Sequence, residues 1–447
     1  MTREQAQALT KKVLDAAKEP EVAVELAGRR HGFLRFARNA PTTSGFTHTG
    51  SANVTAWKGK RKASVSASVN LADAAEAEAT LKSLVKQAEE LAALSPEDRE
   101  YMPLLGPQEY IEVNGYDEAT AELPAAQRTK AVADSIETAK KQKAIAAGFF
   151  ENVAERSIMA NTAGLFAYYP GSVATFSVTA RTGDEQGSGY TAVSSHKFGS
   201  LDVKETTSIA AKKAIDSRGG REMKPGAYTT ILEPQAVGDL ISRLDFDARL
   251  ADEGRSVFAA SGGKTRLGEK IFDPRVNVYA DPRHAIVPSS PIGPAGYPVK
   301  KADLVREGVL KNLGYSRFWA EKNNKEPGPY QTNLIIDGEN VPLAKLIAST
   351  ERGVLVTRLW YIRSVDPQQA LFTGLTRDGT FWIEDGKIKY PLKNFRFNES
   401  PYKLLAEVDA LGTPQPTVRS ERYGDFRMLL PAMRVKAFRF TSLSDAV

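Results

Sequence analysis

Two runs set the architecture of the C-terminal half: Gly353-Val354-Leu355-Val356-Thr357-Arg358-Leu359-Trp360-Tyr361-Ile362, and Thr380-Phe381-Trp382-Ile383-Glu384-Asp385-Gly386-Lys387. Both are dense in β-branched, aliphatic and aromatic residues without a helical period, which reads as strand. Glu384-Asp385-Gly386-Lys387 has the composition of a tight hairpin turn, because Asp and Gly tolerate the positive φ such a turn requires. Ala344-Lys345-Leu346-Ile347-Ala348, just upstream, reads as a short helix.

Outward from these runs, residues 309–315, 332–336 and 433–438 also read as strands, and Pro and Gly crowd the stretch 288–298. A structureless loop of that length is expected near a functional surface. The character of the chain changes at Met223-Lys224-Pro225-Gly226, so the expected boundary divides an N-terminal domain, 1–225, from a β-rich C-terminal domain, 226–447.

The N-terminal part alternates helix and meander. Ala6, Leu9, Val13, Leu14 and Ala17 recur at helical spacing until Pro20 stops them. Period-two runs follow at 22–26, 33–38, 53–57 and 63–69, separated by Gly-bearing turns, with Lys58-Gly59-Lys60 as a hairpin, and then a helix from Asp73 to Leu91 closed by Ser95-Pro96. A second round places a helix over about 125–147, strands at 155–160, 164–169 and 173–180, and a helix from Asp202 to Ser217 stopped by Gly219-Gly220. The expected class is α+β: an antiparallel sheet covered on one face by helices, then a β-rich half. The repetition predicts two related layers within the N-terminal domain.

Composition excludes several chemistries. With 447 residues, 42% hydrophobic and 26% charged, the chain has an ordinary globular composition and is long enough for two or three domains. It has no cysteine, which removes disulfides, thiolate metal ligands and a Cys nucleophile. The start Thr2-Arg3-Glu4-Gln5 is polar and no apolar run is long enough to span a bilayer, so a cytoplasmic location is expected. The net charge of +6 is dispersed, and its densest clusters, Lys58 to Lys62 and Lys140 to Lys143, read as a solvated hairpin tip and helix face. No nucleic-acid motif accompanies them.

Gly263-Lys264-Thr265 lacks the earlier glycine of a phosphate-binding loop, Phe258 standing in its place, and reads as a surface turn. Gly187-Ser188-Gly189 lacks the Gly-x-Ser-x-Gly spacing of a nucleophile elbow. His31, His48, His196 and His284 are scattered, with none in a helical pair, and read as ordinary imidazoles, with His284 the first to check. What remains is a surface suited to holding something. Arg358, Trp360, Tyr361 and Arg363 alternate with apolar residues along one strand, and Arg396, Asn398 and Glu399 form a second cluster. Trp, Tyr and Arg are enriched at the centres of interfaces, and extended peptides dock on strands through main-chain hydrogen bonds.

The stretch 344–405, together with Leu232-Glu233-Pro234 and Glu253-Gly254-Arg255-Ser256-Val257-Phe258, resembles the TldD/TldE (PmbA) family, intracellular peptidases once called modulators of DNA gyrase. The resemblance implies a two-subunit metallopeptidase acting on unfolded or extended peptides. In TldD-type members a helix after the Glu-Pro step resembles His-Glu-x-x-x-His and holds zinc with a C-terminal cysteine. Here the window from Gln235 to Asp247 has neither histidine nor glutamate, and cysteine is absent. The expectation is therefore a zinc-free, TldE-like subunit, inactive alone, with no catalytic residue, metal or cofactor of its own. It would pair with a zinc-bearing TldD-like chain and contribute cavity wall and substrate path. The alternative is a stand-alone or homodimeric peptide-binding module without hydrolysis. A third possibility builds an unfamiliar metal site from His284 and scattered carboxylates.

Overall fold

The structure, a computed structural model, describes residues 1–421 and 426–444. The first half runs α1 (Arg3–Leu14), β1 (Glu21–Ala37), β2 (Ala40–Lys58), β3 (Arg61–Ser68), α2 (Ala74–Leu94), α3 (Glu118–Ala121), α4 (Ala125–Lys141), β4 (Ala144–Asn161), β5 (Phe166–Thr182), β6 (Ser188–Ser195) and α5 (Val203–Asp216). The helix starts follow the polar residues that precede them. Thr2 and Gln5 form a reciprocal capping box, and Asp73 and Asp202 accept from the first free N–H groups of α2 and α5.

All six strands make one antiparallel sheet in the order β3-β2-β1-β4-β5-β6. The helix-and-meander repeat is thus real, but its two rounds are joined edge to edge through β1 and β4 rather than stacked as two layers, with Phe33 opposite Glu151. Alternation puts Val22, Val24, Leu26, Leu34 and Phe36 of β1 on one face, beneath α1 and α2 at one end and α4 and α5 at the other. The opposite face carries Ala23 and Glu25.

Several sequence expectations need correction. Residues 22–26 and 33–38 are one continuous strand, because Gly28 and Gly32 admit a neighbour rather than turn the chain. A Cβ on Gly32 would lie 2.5 Å from the Arg128 guanidinium, which is buried there on Leu123 O and Asn152 Oδ1. Residues 164–169 and 173–180 likewise belong to one strand. Pro170 sits where β5 pairs only with β4, so its missing N–H breaks no ladder. The helix expected to reach 147 ends at Lys141, with Lys143 at φ +57°, and the alanines beyond alternate in and out as β4. β6 was not foreseen. Its Gly189 is packed so tightly that an added Cβ would meet Ala210 O at 2.2 Å. Gly189→Ala is expected to push α5 off the sheet at a cost of about 1–3 kcal/mol, read from denaturant unfolding.

The second half runs β7 (Gly226–Leu232), α6 (Pro234–Ile241), α7 (Ala248–Asp252), β8 (Ala259–Ala260), β9 (Lys264–Thr265), β10 (Val278–Ala280), β11 (Ala302–Arg306), β12 (Val309–Leu310), α8 (Arg317–Lys322), β13 (Asn333–Ile336), α9 (Leu343–Ala348), β14 (Arg352–Asp366), β15 (Leu371–Glu384), β16 (Lys387–Pro391), β17 (Phe395–Glu399), α10 (Pro401–Glu407), β18 (Val408–Leu411), β19 (Gln415–Thr417), β20 (Arg427–Leu430) and β21 (Met433–Leu443). This half is β-rich, as expected, and the fold is α+β. The expected strand over 309–315 shrinks to β12, since Lys311 and Asn312 both turn their N–H groups onto Leu304 O. The Gly263-Lys264-Thr265 turn closes the two-residue β8–β9 ladder, and Asp385 and Gly386 take positive φ in the β15–β16 hairpin.

β14, β7, β21, β17 and β15 pair in succession, and β15 pairs back onto β14, closing a five-stranded ring. Closure removes the open edges that such apolar strands would otherwise present. Phe395, Phe397, Phe438 and Phe440, at most 1% exposed, pack together at ring distances of 5.1–5.5 Å. A second sheet, β12-β11-β10-β13-β20-β19, lies alongside. Among the described residues no helix is long and apolar enough to cross a membrane.

Candidate functional site

α6 follows directly from β7. Glu233 ends the strand by donating its N–H to Val356 O, and Pro234 occupies the first helical position, where a missing N–H costs nothing. Ala236, Val237, Leu240 and Ile241 are buried. Gly238 lets the helix sit against the second sheet, where a Cβ would meet Thr417 Cγ2 at 2.7 Å. Gln235 and Asp239, one turn apart, share a face, and Arg243 follows just past the helix end.

Asp239 is 4% exposed, and its carboxylate is fully engaged. Oδ1 accepts from Ser420 N at 2.6 Å and Gln235 Nε2 at 3.1 Å; Oδ2 accepts from Ser420 Oγ at 2.8 Å and Leu359 N at 3.0 Å. Burial pushes its pKa up to about 6, against the pull of the Ser420 and Leu359 donors and of Arg358. The next residue on the loop, Glu421, accepts from Arg243 at 3.0 Å, Arg363 at 3.1 Å and Ile362 N at 3.3 Å. At the other end of α6, Glu233 takes Lys213 Nζ at 2.6 Å and the Thr357 hydroxyl at 3.2 Å, tying α5 of the first half to α6 and β14. Two carboxylates on and before one short helix therefore lock α6 to β14, to α5 and to the loop segment that carries Ser420.

This is the helix on which the family resemblance would place zinc, and its residues do not fit the ion. The polar set along the helix is Gln235, Asp239 and Arg243, without imidazole or thiolate, and both Asp239 oxygens already have donors. Among the described residues, no group of three or more His, Asp or Glu converges as metal ligands do. His31 pairs with Glu151 at 2.8 Å, His48 lies on the solvent side of β2, and His196 is buried with its pKa lowered by desolvation and by Arg427. His284 accepts Ile286 N at 3.3 Å through Nδ1.

Register places the strand candidates on one surface. Arg358 lies opposite Arg377; Trp360 is opposite Leu375, which is opposite Arg396; Arg363 is opposite Thr373, which is opposite Asn398. Residues 373, 375 and 377 of β15 share a face, so their partners on β14 and β17 share it too. Tyr361 is the bulge residue, at φ +53° and 55% exposed. One end of this surface is covered. There Arg358 is buried, ion-paired with Asp378 and lying 3.9 Å over the Tyr190 ring of β6. The other end is open, with the Arg363 guanidinium 4.0 Å over Tyr361, Arg396 exposed, and Asn398 lining a depression of about 530 Å³ beside Tyr402, Lys403 and Arg439. Glu399 turns inward instead, accepting Arg439 N at 2.7 Å, and burial raises its pKa.

Sequence reading missed Asp239, Ser420, Glu421 and Asp378 as a connected set. Asp239 carried a usable signal, a charged residue inside the apolar run Ala236-Val237-Gly238-Asp239-Leu240-Ile241. Its partner Ser420 lies 181 residues away and carried none.

Known proteins resemble this chain. Two family models match, the PmbA/TldA metallopeptidase central domain over residues 117–218 and the C-terminal domain of the same proteins over 225–442. TldE of Thermococcus kodakarensis is similar with a TM-score of 0.83 at 18% identity, over 98% of this chain and 100% of that one. A Thermotoga maritima protein named as a modulator of a DNA gyrase is similar with a TM-score of 0.81 at 18% identity, over 97% and 99%. A Methanothermobacter thermautotrophicus protein named a metalloprotease is 25% identical over 232 residues, which are 47% of this chain and 48% of that protein. The chain thus spans about half the length of the curated relative it matches, and the likeness to the solved structures is one of fold.

Proposed function

The chain belongs to the PmbA/TldD family, and from that membership we propose that it is the zinc-free, TldE-like subunit of a two-subunit cytoplasmic metallopeptidase acting on unfolded or extended peptides. The observation that carries the reading is the α6 face. Where a zinc-binding helix would present imidazoles, this one presents Gln235 and an Asp239 whose oxygens are spent holding Leu359 and Ser420. The helix is kept as a structural fastener. A TldD-like partner would supply zinc and the activated water, while this chain contributes cavity wall and substrate path. Its open strip of Trp360, Tyr361, Arg363, Arg396 and Asn398 suits a main chain lying along it, with aromatic and guanidinium groups gripping side chains and carbonyls. Arg358, buried at the closed end, positions that strip.

The test is co-expression with a TldD-like protein, then size-exclusion chromatography and peptidase assays on each chain alone and on both together. The expected result is co-elution, with chelator-sensitive cleavage of an unfolded peptide by the pair and none by this chain. Chelator-sensitive cleavage by this chain alone would overturn the reading. A homodimer that binds peptide unaided would point instead to a peptide-binding module without hydrolysis.

A further inference from the structure

The helix-free face of the first sheet is not idle. Together with the second half of the chain it encloses a groove of about 600 Å³, within the range of roughly 300–1,000 Å³ typical of ligand pockets. Trp57 of β2, Met159 of β4 and Met102 from the extended stretch after α2 make apolar walls on one side, and Phe246 and Phe318 face them from the other. Thioether and aromatic walls adapt to an aliphatic stem, and an indole attracts a cation.

The charged lining is unbalanced. Five carboxylates, Glu25, Asp98, Glu100, Asp245 and Asp247, meet two cations, Lys62 and Arg317. Three of the five are accounted for: Asp98 by Lys62 at 2.6 Å, Glu100 by Arg249 at 2.8 Å, and Asp247 by capping Leu250 N at 2.8 Å. Arg317 is turned onto Pro103 O at 2.8 Å. Glu25 and Asp245 remain, and neither forms an ion pair among the described residues. Glu25 is steadied by the Asn53 side chain, and Asp245 accepts Asp247 N at 3.2 Å. Both carboxyls are reachable from solvent yet surrounded by enough protein that desolvation raises their pKa values. Carboxylates held without a cation against apolar walls favour a positively charged guest.

We propose that this groove binds an organic cation carried on an apolar stem, an alkylammonium or guanidinium group, with Glu25 and Asp245 receiving the charge and Trp57, Met102, Met159, Phe246 and Phe318 covering the stem. The guest is either the basic side chain of an extended peptide or a free polyamine. The site stands on its lining and does not depend on the peptidase reading.

Isothermal titration calorimetry on the full chain tests it with three probes: a capped Ala-Leu-Lys-Leu-Ala peptide, its norleucine counterpart, and cadaverine. The lysine peptide, cadaverine or both are expected to bind, with the norleucine peptide weaker by at least about tenfold, a difference of about 1.4 kcal/mol. Binding of the peptide alone identifies a basic side chain as the guest, and binding of cadaverine alone a free polyamine. Glu25→Gln and Asp245→Asn, tested separately so that one misfolded variant does not decide the outcome, are each expected to weaken the bound cation by about three- to tenfold. The proposal fails if the norleucine peptide binds as tightly as the lysine peptide, if both folded variants bind as wild type does, or if neither cation binds.

Discussion

Arg358→Ala is expected to lower the unfolding free energy by about 3 kcal/mol, because it leaves the buried Asp378 carboxylate only the longer contact to Arg377 at 3.8 Å. The Arg358 and Asp378 side chains are 9% and 1% exposed, and the two are ion-paired. The pairing is produced by a bulge. Register slips between Val356 and Arg358, so that Asp378 and Gly379 take φ +55° and +123° and swing the carboxylate under β14, where it also receives the Ser188 hydroxyl of β6. The guanidinium is held against Tyr190 at 3.9 Å and Trp360 at 5.2 Å, so removing it also loses packing between the two halves. Asp378→Asn, which tolerates the same positive φ, is expected to destabilise comparably by leaving the guanidinium uncompensated, and Arg358→Met with Asp378→Asn to recover part of the loss. The exposed pair Arg352–Glu384, 68% and 39% exposed and 3.8 Å apart, is the control, worth about 0–1 kcal/mol. Urea unfolding of these three variants, with Arg352→Ala for the control pair, decides it. A loss under about 1 kcal/mol for Arg358→Ala would show the pair to be screened rather than buried.

What the sequence disclosed, and what it hid, divides along the range of the forces. Local rules were legible. Asp73 and Asp202 marked their helix starts, and Gly59 and Asp385-Gly386 marked their hairpins. The family resemblance rested on such local text as well. Glycine was misread where its role is close approach rather than turning, as at Gly32 beneath Arg128, and alanine where it fits either period, as at 144–147. The five-stranded closure was out of reach because β7 meets β14 in parallel, more than a hundred residues on. At the site, period two along β14 separated Arg358 and Trp360 from their apolar neighbours, but only the bulge at Tyr361 and the cross-strand register align them with Arg363, Arg396 and Asn398. Their other partners, Tyr190, Asp378 and Glu421, come from three separate segments, and no spacing rule links them.

Asp239→Asn is expected to cost more stability at pH 4 than at pH 7, by up to about 3 kcal/mol. Burial raises the folded pKa of Asp239 from 3.8 to about 6, and about two units at 1.36 kcal/mol each give that figure. Because the value is raised, the folded state holds the proton more tightly than the unfolded chain does. Between about pH 4 and 6 the folded state binds more protons, so this contribution is complete below about pH 4 and lost as the pH rises through about 6. Asparagine does not titrate, and its amide turns a donor toward Ser420 N or Leu359 N where the carboxylate offered only acceptors, so the variant carries a penalty that wild type exceeds most in acid. The groups facing Asp239 do not confuse the comparison. Desolvation lowers the Arg419 pKa without bringing it into the acid range, and burial holds the Tyr190 hydroxyl at about 12. Subtracting the variant's unfolding free energy from that of wild type at each pH cancels the remaining carboxylates. A difference that instead grows toward neutral pH would mean that the four donors outweigh burial and hold the carboxylate charged across the range. In that case the α6 fastener would be a charge-assisted clamp rather than one strained by its own desolvation.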